Sequence, residues 1–230
     1  MIPRYLSIIG LVAGLFGCDQ GDREPQQGAT PPTATASRPS VVFLGTSLTA
    51  GLGLEPDQAY PALIQQKIDS AGLGFQVVNA GVSGETSAGA RGRIDWLLRE
   101  PVAVLVVETG ANDGLRGLPP DSLRANIQAV FDRAKRSTSP PRLVLVGMKL
   151  PPNYGRAYTE RFQAVYPELA RENGAELVPF LLDGVGGIPR FNQADGIHPT
   201  AEGQRMIAET VWKVLEPVLK EAESSAGLSS

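Results

Sequence analysis

Apolar runs and amphipathic stretches alternate along the middle of the chain. Short apolar runs fall at Val41–Gly45, Phe75–Asn79, Val102–Thr109 and Leu143–Gly147, with a weaker one at Glu176–Pro179. Between them, apolar positions recur with the helical period over Gln58–Ala71, Thr86–Arg99, Asp121–Ser137 and Arg156–Asn173, and a last such segment, Thr200–Leu219, closes the series. The run Val102-Ala-Val-Leu-Val-Val107 has no polar break, as a strand covered on both faces requires. Strand–helix alternation of this kind predicts an α/β fold, a five-stranded parallel sheet between layers of helices. In such sheets ligands collect at the carboxyl ends of the strands. The residues just after each run are therefore where chemistry is expected. No internal repeat is visible.

Outside residues 41–220 this pattern fails. Arg4 gives the N-terminus a positive charge, and the apolar stretch Tyr5–Phe16 is too short to span a bilayer, which takes about 20 residues. It ends in Leu15-Phe16-Gly17-Cys18, which resembles the bacterial lipoprotein box; an ordinary cleavable signal is the alternative. Residues 1–17 are then a signal peptide, and Cys18 is the lipidated first residue of the mature chain. Acyl chains there would anchor the protein by about 0.8 kcal/mol per buried methylene. Asp19 to Ser40 is rich in Pro, Gln, Thr and Ala and has almost no large apolar side chains. Such a segment cannot offset the entropy of ordering, so residues 18–40 are expected to be a lipidated tether. Residues 221–230 read as a disordered tail. The expected location is the cell envelope or periplasm, anchored to a membrane.

Composition narrows the function. The 230 residues include 21 Lys+Arg and 24 Asp+Glu for a net charge of −3, so the basic stripe of a nucleic-acid binder is not expected. One Cys excludes an internal disulfide framework and a Cys-based zinc cage. One His excludes a multi-histidine metal site, and any chemistry that needs imidazole must use His198. Nothing marks an obligate oligomer, and a monomer is the expectation.

Four blocks follow the predicted elements. After the first run comes Gly45-Thr46-Ser47-Leu48-Thr49-Ala50-Gly51. A Ser on a sharp strand-to-helix turn presents its hydroxyl at the sheet edge, near helix-terminal N–H groups that favour negative charge. A Walker-type phosphate loop would need a Lys, and the lipase elbow Gly-x-Ser-x-Gly would need Gly at position 49. After the second run comes Asn79-Ala80-Gly81-Val82-Ser83-Gly84-Glu85-Thr86, where Gly84 can aim its N–H at a ligand. After the third comes Gly110-Ala111-Asn112-Asp113-Gly114, whose Asn112 amide is placed to donate to an anionic oxygen. Near the end comes Asp195-Gly196-Ile197-His198-Pro199, with Pro199 suited to the first turn of the closing helix. A carboxylate three residues before the imidazole can curl onto one ring nitrogen and leave the other free as a base. Each block also has an ordinary reading, as a helix cap, a glycine turn, Asx turn chemistry or a surface His. Their occurrence together, in this order and with the only His in the base position, is much less expected by chance.

The four blocks together resemble those of the SGNH hydrolases, the superfamily that includes the GDSL esterases, over nearly all of 41–219. Within it the chain is similar to the bacterial thioesterase/lysophospholipase/arylesterase branch. The carriers are Gly110-Ala-Asn-Asp-Gly-Leu-Arg-Gly117, Leu150-Pro-Pro-Asn-Tyr-Gly155, Tyr166-Pro-Glu-Leu-Ala170 and Val178-Pro-Phe180. Thr46 stands where the family has Asp before the nucleophile, and Glu85 where the branch often has Asp. The resemblance implies a flavodoxin-like α/β/α sandwich. It implies Ser47 as nucleophile, His198 as base, Asp195 as its partner, and the Ser47 and Gly84 N–H groups with the Asn112 amide as oxyanion hole. It calls for no metal or organic cofactor. The implied substrates are small-molecule acyl, aryl or lysophospholipid esters, with thioesters as a further class. A carbohydrate acetylesterase on the same fold is the first alternative. A lipid-anchored binding module without catalysis is the second.

Overall fold

A computed structural model describes residues 38–225 and residue 227. The expected signal peptide, Cys18 and most of the tether lie outside the described residues. Five strands form one sheet: β1 (Ser40–Gly45), β2 (Gln76–Gly81), β3 (Val102–Glu108), β4 (Arg142–Val146) and β5 (Glu176–Val178). Their order is β2-β1-β3-β4-β5, and every pairing is parallel. Chain direction across the sheet reverses between β1 and β3, so their carboxyl ends flank the crevice where such folds bind ligands.

The burial of each strand follows its place in this order. Val104, Leu105, Val106 and Val107 of β3 are each 0% exposed, and each such side chain contributes about 1.5–3 kcal/mol of burial. The edge strand β2 alternates less sharply and leaves Val78 40% exposed. It also runs on to Gly81, beyond the expected end at Asn79, because Leu44 and Gly45 of β1 still pair with Ala80 and Gly81.

The helices are α1 (Ser47–Ala50), α2 (Tyr60–Ser70), α3 (Ser87–Leu97), α4 (Ala111–Leu115), α5 (Pro120–Lys135), α6 (Arg156–Asn173) and α7 (Ala201–Ser225). Helices cover both faces of the sheet; α2 packs on α7, while α3, α5 and α6 pack in series. In α5, Pro120 sits in the first turn, and Leu123, Ile127, Val130, Phe131 and Ala134 form the buried stripe. Helix α6 stops at Gly174, which takes the left-handed conformation that ends a helix without strain. No helix among the described residues is long and apolar enough to cross a membrane.

Two expectations need correction. The closing helix does not stop at Leu219 but runs to Ser225, so the first part of the expected 221–230 tail is helical. Lys220 pairs with Glu216 one turn back, Glu221 pairs with Arg142, and Glu223 accepts the Gly74 N–H. These contacts continue the helix although the sequence there has turned polar. Pro199 is not in the first turn of that helix but in an isolated bridge with Asn192. Thr200 caps the helix instead, its carbonyl accepting the Gln204 N–H and its hydroxyl the Gly203 N–H.

Candidate active site

Ser47 begins α1 immediately after β1. The turn that carries it is tight: Ala50 donates to the Thr46 carbonyl at 2.9 Å, and Gly51 closes it with φ 72°. A Cβ on Gly45 would lie 2.0 Å from the Thr49 hydroxyl oxygen. A Cβ on Gly81 would lie 2.3 Å from the backbone nitrogen of Ala50, which cannot swing aside. Small residues at these two positions therefore let β2 run hard against the turn. As the first residue of a helix, Ser47 leaves its own N–H without an intrahelical acceptor.

The loop before α7 brings His198 to this turn. The Thr200 N–H donates to Phe191 and the Gln193 N–H to His198, at 2.8 and 2.7 Å. Inside the loop Asp195 Oδ1 accepts the N–H groups of Ile197 and His198 at 2.9 and 3.0 Å. Its Oδ2 lies 2.6 Å from His198 Nδ1, and His198 Nε2 lies 2.9 Å from Ser47 Oγ. A carboxylate only accepts, so Nδ1 carries the ring hydrogen and Nε2 is left to accept the Ser47 hydroxyl. The His198 ring, then the two backbone N–H groups, hold the Asp195 carboxyl down to about 2.

Gly84 lies in a turn closed by the Glu85 N–H on the Val82 carbonyl, with φ 76°. Asn112, at the start of α4, donates its side-chain amide to the Glu85 carbonyl at 2.9 Å. The blocks after β2 and β3 are thereby joined. A second link supports the first: the Asp113 carboxylate accepts both the backbone N–H and the hydroxyl of Ser87, the first residue of α3.

All the site residues expected within the described region meet at one end of the sheet. Ser47, His198 and Asp195 form one hydrogen-bonded line, and Asn112 reaches the Gly84 turn. Cys18 lies outside the described residues. A groove of about 470 Å³ at the opposite end, lined by Arg142, Glu176, Lys213 and Pro217 among others, contains no Ser, Cys, Thr or His.

Two supporting residues escape the sequence reading. Arg93 binds both carboxylate oxygens of Glu85 and also donates to the carbonyls of Ala80 and Gly45, at 2.7 and 3.2 Å. Helical spacing from α3 shows only a cation on one face. Glu108 ends β3 almost fully buried and accepts the Thr46 N–H, the Thr46 hydroxyl and the Thr49 hydroxyl at 2.8, 3.0 and 2.8 Å. Burial pushes its carboxyl up to about 7, against the pull of those donors. Its signal in the sequence is an acid closing an otherwise unbroken apolar run. The same contacts explain how Thr46 is accommodated. A hydroxyl donates to the buried carboxylate, where a second carboxylate would have to be protonated or turn away.

A hydroxyl hydrogen-bonded to an oriented imidazole, on the first residue of a helix, is equipped for nucleophilic attack on a carbonyl. Comparison with known proteins agrees with that chemistry. Residues 43–206 match the GDSL-like Lipase/Acylhydrolase family. The chain is 42% identical over 188 residues to Esterase TesA of Pseudomonas aeruginosa, covering 81% of this chain and 92% of that one. It is 39% identical over 186 residues to Thioesterase 1/protease 1/lysophospholipase L1 of Escherichia coli, covering 80% of this chain and 86% of the relative. A crystal structure of TesA superposes with a TM-score of 0.74 at 42% identity, over 78% of this chain and 99% of that one.

Proposed function

The chain belongs to the GDSL-like Lipase/Acylhydrolase family, and on that premise we propose that Ser47, His198 and Asp195 carry out its reaction. The chain is a hydrolase of carboxylic esters. Ser47 Oγ attacks the acyl carbonyl while His198 Nε2 takes its proton. Asp195 holds the ring in the required tautomer and stabilises the imidazolium. The oxyanion is met by the backbone N–H groups of Ser47 and Gly84 and by the Asn112 amide. As the tetrahedral adduct collapses, the bond to the leaving oxygen breaks and His198 returns the proton to it. Water, activated by the same imidazole, then releases the acyl group from Ser47.

One observation carries this reading: the unbroken line from Asp195 Oδ2 through His198 to Ser47 Oγ, at 2.6 and 2.9 Å. The substrate class is acyl, aryl or lysophospholipid esters, and thioesters pass through the same oxyanion. Leu115 and Leu118 support acyl recognition. Each is 37% exposed just after Asn112, on a segment held by the Tyr154 and Tyr158 hydroxyls through its carbonyls. The test is hydrolysis of p-nitrophenyl esters of increasing acyl length by the purified protein, with Ser47→Ala alongside. Hydrolysis by the wild type alone, retained on longer chains, supports the reading. Hydrolysis confined to acetyl esters replaces it with a carbohydrate deacetylase.

The N-terminal residues extend the proposal. Residues 1–17 direct export, Cys18 is acylated, and 18–40 tether the domain to a membrane of the cell envelope. Cell fractionation of the wild type and Cys18→Ala tests this. The wild type is expected with membranes and the variant in the soluble fraction; an unchanged distribution removes the anchor.

A further inference from the structure

We propose that Glu108 is a positioning residue for this reaction: its ionised carboxylate clamps the turn that carries Ser47, and turnover is fast only while the clamp is ionised. The inference rests on Ser47 being the nucleophile. Glu108 reaches that turn from the end of β3, with 1% of its surface exposed. Its Oε2 accepts the Thr46 N–H at 2.8 Å and the Thr49 hydroxyl at 2.8 Å, and the Thr46 hydroxyl lies 3.0 and 3.1 Å from the two oxygens. The Thr46 carbonyl is fixed in turn by the Ala50 N–H at 2.9 Å. That carbonyl and the Ser47 N–H that the proposed oxyanion hole uses are the two ends of one planar peptide unit, which therefore has little freedom. Behind Thr49, the Tyr60 hydroxyl lies 2.7 Å from Thr49 Oγ1 and extends the network into α2.

In this arrangement every neighbouring donor points at the carboxylate, which suits the ionised form. Protonation adds a hydrogen where only acceptors are wanted. One threonine hydroxyl must then rotate to receive it and gives up its own donation. If that hydroxyl is Thr49, its bond with Tyr60 reverses as well. The turn that holds Ser47 loosens where Glu108 anchors it. The titratable groups facing Glu108 are Tyr60 from α2 and Tyr166 from α6, and burial raises both phenols well above their ordinary value. No Lys, Arg or His forms an ion pair with it among the described residues. Glu108 is thus the group of this network that changes charge near neutrality. A buried carboxylate without a counter-cation is a poor choice for stability alone, whereas strongly perturbed carboxyls gather where chemistry is done.

Stability and rate then move in opposite directions. The carboxyl is raised above its unfolded value, so its contribution to stability is full in the acid range. It is lost as pH rises through about 7. The ionised clamp supports turnover and weakens the fold. Glu108→Gln fixes the neutral form. Its carbonyl oxygen can still accept the Thr46 N–H and the Thr49 hydroxyl, and its amide can donate to Thr46 Oγ1.

The experiment measures kcat, KM and thermal melting of the full chain and of Glu108→Gln on p-nitrophenyl butyrate, between about pH 5 and 9. Above about pH 8, kcat of the variant is expected to fall about tenfold through misplacement of the nucleophile, with KM within about twofold. Below about pH 6 the two profiles converge, and at about pH 9 the variant melts no lower than the wild type. A ratio of kcat values that stays constant with pH, or a loss of melting temperature that parallels the loss of rate, overturns the proposal. If Glu108→Gln does not fold, Thr46→Val decides. It removes one donor to the ionised form and keeps the backbone N–H, so the ratio of its kcat to that of the wild type should dip in the neutral range and recover at higher pH; a ratio that stays constant with pH overturns the proposal. Activity retained by Ser47→Ala would instead overturn the nucleophile assignment beneath it.

Discussion

The Asn112 amide donates to the Glu85 carbonyl at 2.9 Å, so the loops after β2 and β3 are one unit. An amide nitrogen has two hydrogens. One fixes the side chain against the Gly84 turn, and the other is left for the oxyanion of the proposed mechanism. Asn112→Ala removes both the donor and the link. The loss of one such donor costs about 2.7–4 kcal/mol of transition-state stabilisation, a fall of about 10²–10³ in kcat. KM should change much less. Steady-state kinetics on a p-nitrophenyl ester checks this, and a kcat within a few fold of wild type would remove Asn112 from the oxyanion hole.

Arg93 serves the same unit from beneath. It is 20% exposed in its side chain, and its partner Glu85 is 11% exposed. Arg93→Ala leaves that carboxylate without its counter-charge and frees the Ala80 and Gly45 carbonyls. Hydrogen bonds to charged groups are worth about 1.5–3 kcal/mol each in such settings. A loss of about 2 kcal/mol in urea unfolding is expected, together with a fall in kcat as the Gly84 turn relaxes. Arg93→Lys should restore part of the stability but less of the rate, because an ammonium cannot hold both Glu85 oxygens in a planar fork.

The state of Asp195 bears on pH. Its carboxyl is held down to about 2, so the contribution of its ionised form is present above the ordinary carboxylate range and lost as pH falls through about 2. Asp195 therefore stays ionised over the working range and sets no limb of the activity profile there. Asp195→Asn keeps the shape but permits the wrong tautomer of the His198 ring, and a fall of about 10⁴ in kcat is expected. A fall of less than tenfold, from a folded variant, would mean that the ring is oriented by something else.

Gly81 tests the packing beneath the turn that carries Ser47. Its Cβ would meet the Ala50 nitrogen and, at 2.9 Å, the Thr46 carbonyl oxygen, all backbone. Gly81→Ala should cost about 1–3 kcal/mol through forced displacement of α1 and should lower kcat with it. The glycine at position 92 has no heavy atom within 4 Å of such a Cβ and is helical. Gly92→Ala should therefore raise stability by about 0.4–1 kcal/mol. Thermal melting of the two variants gives opposite signs if the steric account is right.

Much of this was legible in the sequence, for identifiable reasons. β3 is central and buried, so its residues had to be apolar without interruption, and its run stands out. β2 is an edge strand that shares its last residues with a glycine-rich turn, so its end was read short. The four blocks could be found because each occupies the few residues that follow an element, where local spacing is informative. Glu108 and Arg93 could not be found that way. Glu108 meets Thr46 and Thr49 because β1 and β3 lie side by side, and Arg93 meets Gly45 because α3 packs against β1. The continuation of α7 past Leu219 likewise depends on Arg142 and Gly74, which no local pattern joins to it.

The most direct test of the central claim is covalent labelling of the nucleophile. The purified protein is treated with a p-nitrophenyl alkylphosphonate, and release of p-nitrophenol is compared with the mass of each peptide. One equivalent released, the phosphonyl mass on the peptide that contains Ser47, and no labelling of Ser47→Ala or His198→Ala at the same rate is the predicted result. Hydrolysis that continues while Ser47 carries no adduct, or labelling that is as fast without His198, would contradict the account.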